Sequence, residues 1–233
     1  MHSVDTPFES IAFLETIMKT TRIALAITVA GLFSSAAFAQ SVATEVDRNI
    51  NQQQRIEQGL QSGQLNTREA SRLEREESRV ERMESNAMKD GKLSSGEKNR
   101  IDQAQDKVSR DIYQEKHDAQ RGNPNSASSQ RMQADVQRNI NQQQRISQGI
   151  QSGQLNNREV GRLERGQARD NRMQARAGAD GHVGRNEQRH MQMAENRQSG
   201  QIRNERHDGQ QRPERQGMAR QGNAQHGGQH GRR

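Results

Sequence analysis

A stretch of 19 residues that occurs twice in this chain is the feature that most constrains its fold. Residues 48–66 read RNINQQQRIEQGLQSGQLN, and residues 138–156 read RNINQQQRISQGIQSGQLN. The offset of 90 residues continues without a gap from 46–118 into 136–208. A tandem duplication of this length predicts two copies of one structural unit.

The first 39 residues have the pattern of a secretory signal peptide. From Met18 onwards, a short basic segment precedes an apolar run over 23–33, and Ala37-Phe38-Ala39 forms a small-x-small cleavage site. The apolar run is too short to span a bilayer, as is typical of signal peptides. We therefore predict a periplasmic or secreted protein, with no transmembrane span in the mature chain.

Composition limits the hydrophobic core that the mature chain can build. All four Phe lie in the leader, Tyr113 is the single Tyr, and the chain has no Trp and no Cys. Aromatic side chains supply the largest buried areas, and disulfides compensate for small cores in exported proteins. The sequence therefore predicts a thin core of aliphatic residues and marginal stability.

Hydrophobic periodicity and turn signals predict an all-α fold of two tandem three-helix repeats. In the first copy the predicted helices cover 41–59, 67–88 and 97–117. Gly63 and Gly91 suit the left-handed position after a helix, and Asn66 and Ser94 each precede a Glu by three residues, which predicts capping boxes. The predicted boundaries are a leader over 1–39, repeat 1 over 40–118, a polar linker over 119–135, repeat 2 over 136–208 and a disordered basic tail over 209–233.

The second copy carries polar residues at positions that are apolar in the first. Val80 corresponds to Asp170, and Val108 corresponds to Gln198. A polar group in a buried position destabilises the fold. We therefore predict that repeat 2 is looser than repeat 1. The second helix of the first copy also alternates Arg and Glu at three- and four-residue spacing, which is typical of a solvated face.

The glycine-centred turns raise the possibility of calcium binding. With Gly91 at position 6 of a 12-residue EF-hand frame, the candidate ligands are Asn86, Asp90, Ser94 and Glu97. The ligand set is incomplete, because Met88 occupies a position that usually supplies an oxygen. Capping boxes alone also explain the Gly, the apolar residue and the Glu. At this loop the sequence suggests weak calcium binding and no other cofactor.

Histidine and methionine side chains suggest a second kind of metal site. Imidazole and thioether groups are ligands that Cu(I) and Ag(I) accept. The candidates are His190, Met191, Met193, His226 and His230. Packing explains Met191 equally well, because it corresponds to the apolar Ile101 of the first copy.

Positive charge concentrates towards the C-terminus and suggests an anionic polymer as a partner. Residues 46–118 contain 14 Lys and Arg against 15 Asp and Glu, whereas residues 136–208 contain 13 against 8. Arginine forms bidentate contacts with phosphate and carboxylate. A solvated surface would have the same composition. The candidate polyanion-binding residues are Arg203, Arg206, Arg212, Arg215, Arg220, Arg232 and Arg233.

The chain lacks the motifs that would indicate an enzyme. It has no Cys, no Gly-x-Ser-x-Gly and no glycine-rich phosphate loop, and its carboxylates are predicted to lie on solvated helix faces. We therefore expect no catalytic residues.

Three blocks of the first copy resemble a group of exported proteins of proteobacteria. They are RIxQGxxSGQLxxREAxxLE from Arg55, DGxLxxxE from Asp90 and SRxIYxxKHD from Ser109. The resemblance implies export and repetition but no assigned activity. A looser analogy, in size, helicity and lack of Cys, is to periplasmic stress proteins with a Leu-Thr-x-x-Gln motif.

These observations favour a non-enzymatic periplasmic binding or envelope-stress protein, with unfolded or envelope proteins as partners. The alternatives are a metal-ion binder and a polyanion binder, and the sequence alone does not decide among them.

Overall fold

The computed structural model describes residues 41–208. Its elements in this range are all helical, which confirms the prediction of an all-α fold. No strand occurs in this part of the chain. The predicted signal peptide and the C-terminal tail lie outside it. None of the helices between residues 41 and 208 is long and apolar enough to cross a membrane. The helices are α1 over 41–62, α2 over Thr67–Ala87, α3 over Ser95–His117, α4 over Ala127–Gln151, α5 over Asn157–Ala177 and α6 over Arg185–Asp208, with a 3-10 turn over Met88–Asp90.

Local sequence signals position the helix ends. The Asn66 side chain accepts a hydrogen bond from the Glu69 backbone N–H, and the Glu69 carboxylate accepts one from the Asn66 backbone N–H, so the predicted capping box is present. Ser94 and Glu97 form the same box at the start of α3. Gly63 and Gly91 have φ of 71° and 89°, which favours glycine. Helix α4 begins at Ala127, so the last part of the predicted linker is helical.

The two copies pack together through their middle helices, α2 and α5, which run antiparallel. Arg68 Nη2 donates to the backbone oxygen of Asp180 at 2.8 Å, and Arg158 Nη2 donates to that of Asp90 at 2.9 Å. These two contacts are equivalent under the 90-residue offset. The helix pair therefore has approximate two-fold symmetry, as in an isologous interface between identical subunits.

Small residues at every seventh position let α2 and α5 approach closely. Seven-residue spacing keeps these positions on one face of each helix. At the centre, Ser78 Oγ donates to the backbone oxygen of Ala168 at 2.9 Å, so the helix backbones are separated by little more than a hydroxyl group. The small residues are Ser71, Ser78 and Ser85 on α2 and, at the equivalent positions, Gly161, Ala168 and Ala175 on α5.

The glutamines of the repeated 19-residue stretch are buried and connect helices. Gln52 Nε2 donates to the backbone oxygen of Gln105 at 2.6 Å and joins α1 to α3. Gln142, its equivalent, donates to the backbone oxygen of Glu195 at 2.9 Å and joins α4 to α6. Gln53 donates to Glu74 at 3.0 Å and joins α1 to α2. These buried hydrogen bonds give the repeated stretch a structural role in both copies.

Repeat 2 accommodates one of its polar substitutions by a change on the facing helix. Gln198 is buried, and its Nε2 donates to the backbone oxygen of Leu163 at 2.9 Å. Its side chain lies over Gly166, where a Cβ atom would come within 1.9 Å of the Gln198 Oε1 atom. The greater looseness of repeat 2 stays a prediction.

Candidate functional site

The exposed surface of the two middle helices consists almost entirely of arginine. Within α2 every exposed residue is an arginine except Asn86, and within α5 every exposed residue is an arginine. We call this surface the arginine face. It comprises Arg68, Arg72, Arg75, Arg79 and Arg82 of α2 and Arg158, Arg162, Arg165, Arg169, Arg172 and Arg176 of α5.

Five of these arginines line a single groove between α2 and α5, with a volume of about 270 Å³. No carboxylate lines the groove. Among the ion pairs within residues 41–208, none involves any of the five guanidinium groups. Five cations without a counter-charge attract anions strongly. We call this groove between α2 and α5 the arginine groove. Its residues are Arg75, Arg79, Arg82, Arg172 and Arg176.

Arginines at the edges of the arginine face are engaged within the protein. Arg72 Nη1 lies 3.1 Å from Glu115 Oε1 on α3, and Arg162 Nη2 lies 2.8 Å from Glu205 Oε2 on α6. Both pairs are partly exposed and contribute little stability. The five arginines of the groove, by contrast, form no ion pair within residues 41–208.

The glutamates of α2 do not neutralise this surface, because they are buried on the opposite side of the helix. The expectation of a solvated Arg/Glu face is wrong for Glu74, Glu77, Glu81 and Glu84, each of which is at most 1% exposed. Packing against α1, α3, α4 and α5 excludes water from them. Burial raises the pKa of Glu74 to about 8 and the pKa values of the other three well above the ordinary value.

Buried carboxyl groups of α4 and α5 are shifted in the same way. Burial raises the pKa of Glu164 to about 7, of Asp135 to about 8 and of Asp170 to about 7. A carboxyl group with such a pKa is at least partly protonated near neutral pH. The folded domain is therefore more positively charged near neutral pH than its formal composition implies.

Two of the predicted polyanion-binding residues lie on α6 and belong to a second, smaller basic cluster. Burial lowers the pKa of Arg145 on α4, and the positive charges of Arg203 and Arg206 lower it further. Arg206 Nε also donates to Gln154 Oε1 at 2.8 Å, so part of this charge is engaged. The other candidates, Arg212, Arg215, Arg220, Arg232 and Arg233, lie outside the described residues.

The candidate calcium loop around Gly91 uses its polar side chains for local structure. Ser94 Oγ donates to Glu97 Oε2 at 2.6 Å within the capping box, and Asp90 Oδ1 accepts from the Lys92 backbone N–H at 2.8 Å. Asn86 is exposed and faces Glu97 across a shallow cavity. These contacts agree with the capping-box interpretation of the loop.

The candidate soft-metal residues lie on α6 or beyond it. Met191 is 2% exposed and belongs to the hydrophobic core, as its alignment with Ile101 suggests. His190 and Met193 are exposed. His226 and His230 lie outside the described residues.

Sequence reasoning missed the arginine groove because Arg and Glu alternate along α2 and their charges cancel in any count. The signal that could have found it is positional. On α2 the arginines recur at steps of 4, 3, 4 and 3 residues, and the same steps recur on α5. Such spacing places all of them on one face of a helix.

Comparison with known proteins adds no family or relative to this picture: no family model matches the chain, and neither a curated protein nor a solved structure matches it significantly.

Proposed function

We propose that this protein is a non-enzymatic helical scaffold that binds phosphate-bearing polyanions through the arginine groove. The observation that supports the proposal is the groove itself, where five arginines meet without a carboxylate. Guanidinium groups bind phosphate oxygens through paired, charge-assisted hydrogen bonds. The antiparallel helices present these groups in two neighbouring rows, which suits an extended polymer better than a single small anion.

The rigid core beneath the groove supports the same proposal. Close packing of α2 on α5 fixes the separation of the two rows, because Ser78 and Ala168 are joined by a 2.9 Å hydrogen bond. Arginines held on rigid helices lose less conformational freedom on binding than arginines in a mobile loop. We extend the proposal to an exported protein on the basis of the predicted signal peptide over residues 18–39.

Client binding by a chaperone-like protein has less support in the described residues. Their large exposed hydrophobic side chains are Tyr113 on α3 and Met193 on α6. The two occupy different positions of the repeat. Unfolded proteins bind mainly to contiguous apolar surface, which these two side chains do not form.

The experiment is a salt titration of binding to a fluorescein-labelled oligothymidylate, measured by fluorescence anisotropy. We expect binding at low salt, with log K falling linearly as log salt concentration rises, because each neutralised phosphate releases counterions. Substitution of Arg75, Arg79 and Arg172 by Gln should weaken binding by about tenfold or more and reduce the salt slope.

A matched variant separates the groove from general positive charge. Arg110→Gln, Arg185→Gln and Arg189→Gln together remove the same charge from exposed positions on α3 and α6. This variant should retain most of the affinity. Equal losses in both triple variants, or no binding by the wild-type protein at low salt, would overturn the proposal. Suppression of aggregation of an unfolded client by both variants would favour the chaperone-like alternative instead.

A further inference from the structure

Three carboxylates converge where the loop between α1 and α2 meets the end of α3. Glu69, Glu115 and Asp118 each place one carboxylate oxygen within 4.8 Å of the oxygens of the other two. Across residues 41–208 no other three Asp, Glu, His or Cys side chains come as close together. Three negative charges at this distance repel one another unless a cation lies among them.

Glu69 supplies a second, independent observation, because one of its oxygens is buried without a partner. The residue is 2% exposed. Its Oε2 accepts from the Asn66 backbone N–H at 2.9 Å and completes the helix cap. Its Oε1 has no hydrogen-bond partner. An unpaired buried carboxylate oxygen carries a large desolvation cost, which a bound cation would remove.

The second repeat shows a cation at the equivalent position. There the guanidinium of Arg162 lies between two glutamates, with Nη2 2.8 Å from Glu205 Oε2 and 3.9 Å from Glu159 Oε1. In the first repeat Arg72 pairs with Glu115 alone, and no ion pair joins it to Glu69. The first copy therefore has the same two glutamates and no protein cation beside Glu69. Its aspartate, Asp118, lies close to both glutamates, whereas the equivalent Asp208 does not form such a cluster with Glu159 and Glu205.

We propose that Glu69, Glu115 and Asp118 form a calcium-binding site in the first repeat. Carboxylate oxygens are the ligands that hard divalent cations prefer, and Ca²⁺ tolerates irregular geometry better than Mg²⁺. Oxygens within 4.8 Å of one another leave a central ion at most about 2.8 Å from each, and small side-chain movements reach the calcium distance of about 2.3–2.6 Å. Three protein ligands suggest a dissociation constant of roughly 10⁻⁴–10⁻³ M, as in extracellular calcium modules.

The site is distinct from the arginine groove and from the loop around Gly91. Glu115 and Asp118 lie at the opposite end of α3 from Glu97, and Glu69 lies in the first turn of α2. None of the three lines the arginine groove. Calcium binding and polyanion binding can therefore be tested, and can fail, independently of each other.

The test is a calcium titration of the full mature chain, followed by amide NMR and isothermal calorimetry. We expect shift changes at 65–69 and 115–122, and none at 86–97. Glu115→Gln and Asp118→Asn should each weaken calcium binding by about tenfold or more, because each removes a charged ligand. Neither substitution alters a residue of the capping box, so both variants should fold, which circular dichroism will check.

Glu205→Gln is the matched control, since it removes the equivalent carboxylate of the second repeat and with it the ion pair to Arg162. Calcium affinity should not change in this variant. Absence of shift changes in millimolar calcium would overturn the proposal. So would equal changes on adding NaCl at the same ionic strength, or an affinity that Glu115→Gln and Glu205→Gln alter to the same extent.

Discussion

Asn171 and Glu81 occupy the same position in the two repeats, and in the folded chain Asn171 Nδ2 donates to Glu81 Oε1 at 2.9 Å. The approximate two-fold axis of the α2–α5 pair brings equivalent positions together. If both positions carried glutamate, two carboxylates would face each other in buried surroundings. Asparagine at position 171 replaces that repulsion with a hydrogen bond, which favours pairing of unlike copies over pairing of identical ones.

Asn171→Asp should therefore destabilise the fold. The substitution keeps the side-chain shape but removes the Nδ2 donor and places a second carboxyl group beside Glu81. We expect a loss of about 1–3 kcal/mol in the free energy of unfolding at pH 7. Urea denaturation followed by circular dichroism measures the change. Asn51→Asp, at an exposed position of α1, is the control and should change stability little; equal effects would show that position 171 is not special.

The buried carboxyl groups should make the fold more stable at acidic than at alkaline pH. Their pKa values are raised in the folded state to about 8 for Glu74 and Asp135 and about 7 for Glu164 and Asp170, by burial first of all. In the unfolded chain they ionise near their ordinary values of 4.5 for Glu and 3.8 for Asp. The folded state thus holds more protons between about pH 4 and pH 8, and stability is lost as pH rises through that window. Melting temperatures measured from pH 5 to pH 8 should fall steadily, and a rise would contradict the burial of these groups.

Glu77→Gln should reduce this pH dependence. Both Glu77 carboxylate oxygens are buried without a hydrogen-bond partner, and burial raises the pKa of Glu77 well above its ordinary value. The equivalent residue of repeat 2 is already glutamine, Gln167. Because glutamine cannot ionise, the variant should be more stable than the wild type at pH 8 and nearly unchanged at pH 5. Glu76→Gln, at a partly exposed position, is the control; a gain of equal size there would indicate a general charge effect.

Sequence signals within a few residues predicted the helices and their ends. They did not predict which charged side chains of a helix are exposed and which are buried, because that depends on the packing of other helices. Asn66 with Glu69 and Ser94 with Glu97 are three residues apart, so the caps depend only on nearby residues. Glu81, by contrast, is buried against the second copy and accepts a hydrogen bond from Asn171, which is 90 residues away. A helix in which Arg and Glu alternate has no net charge in its sequence. When a second helix packs on it, the Glu side chains are buried and the Arg side chains stay exposed.

The same reasoning explains why the polyanion-binding residues predicted from the sequence and the residues of the arginine groove lie in different parts of the molecule. The net positive charge of the second copy favoured Arg203 and Arg206 as candidates. The groove draws three of its five residues from α2, in the copy whose formal charge is close to neutral. The seven-residue spacing of Ser71, Ser78 and Ser85 indicates the side of α2 that packs against another helix. The arginines of α2 lie on the other side, so this spacing would have predicted that they are exposed.

Gly161→Ala should destabilise the α2–α5 interface, although alanine ordinarily favours a helix over glycine. A Cβ atom at Gly161 would lie 2.9 Å from the Met88 Cβ and 3.3 Å from the Ser85 backbone oxygen. These atoms cannot move without shifting the helices, so we expect a loss of about 1–3 kcal/mol. Gly200→Ala is the control, because nothing lies within 4 Å of a Cβ there, and it should stabilise α6 by about 0.5–1 kcal/mol. Thermal unfolding of both variants measures the contrast, and effects of the same sign would contradict the close approach of α2 and α5.

Glu84 and Gln105 should be exchangeable as a pair but not singly. Gln105 Nε2 donates to Glu84 Oε1 at 3.1 Å in repeat 1, whereas in repeat 2 the residue types are reversed and Gln174 Nε2 lies 3.5 Å from Glu195 Oε1. Glu84→Gln replaces one of the two carboxylate oxygens that accept from Asn49 and Gln105 with an amide group that donates instead. Gln105→Glu places two carboxyl groups side by side. Each single variant should lose about 1–3 kcal/mol of unfolding free energy. The double variant recreates the arrangement of repeat 2 and should recover much of that loss, giving a favourable coupling energy in a double-mutant cycle. Additive losses would mean that the two residues do not interact. The exchange of Glu and Gln between the two repeats would then have no effect on stability through this pair.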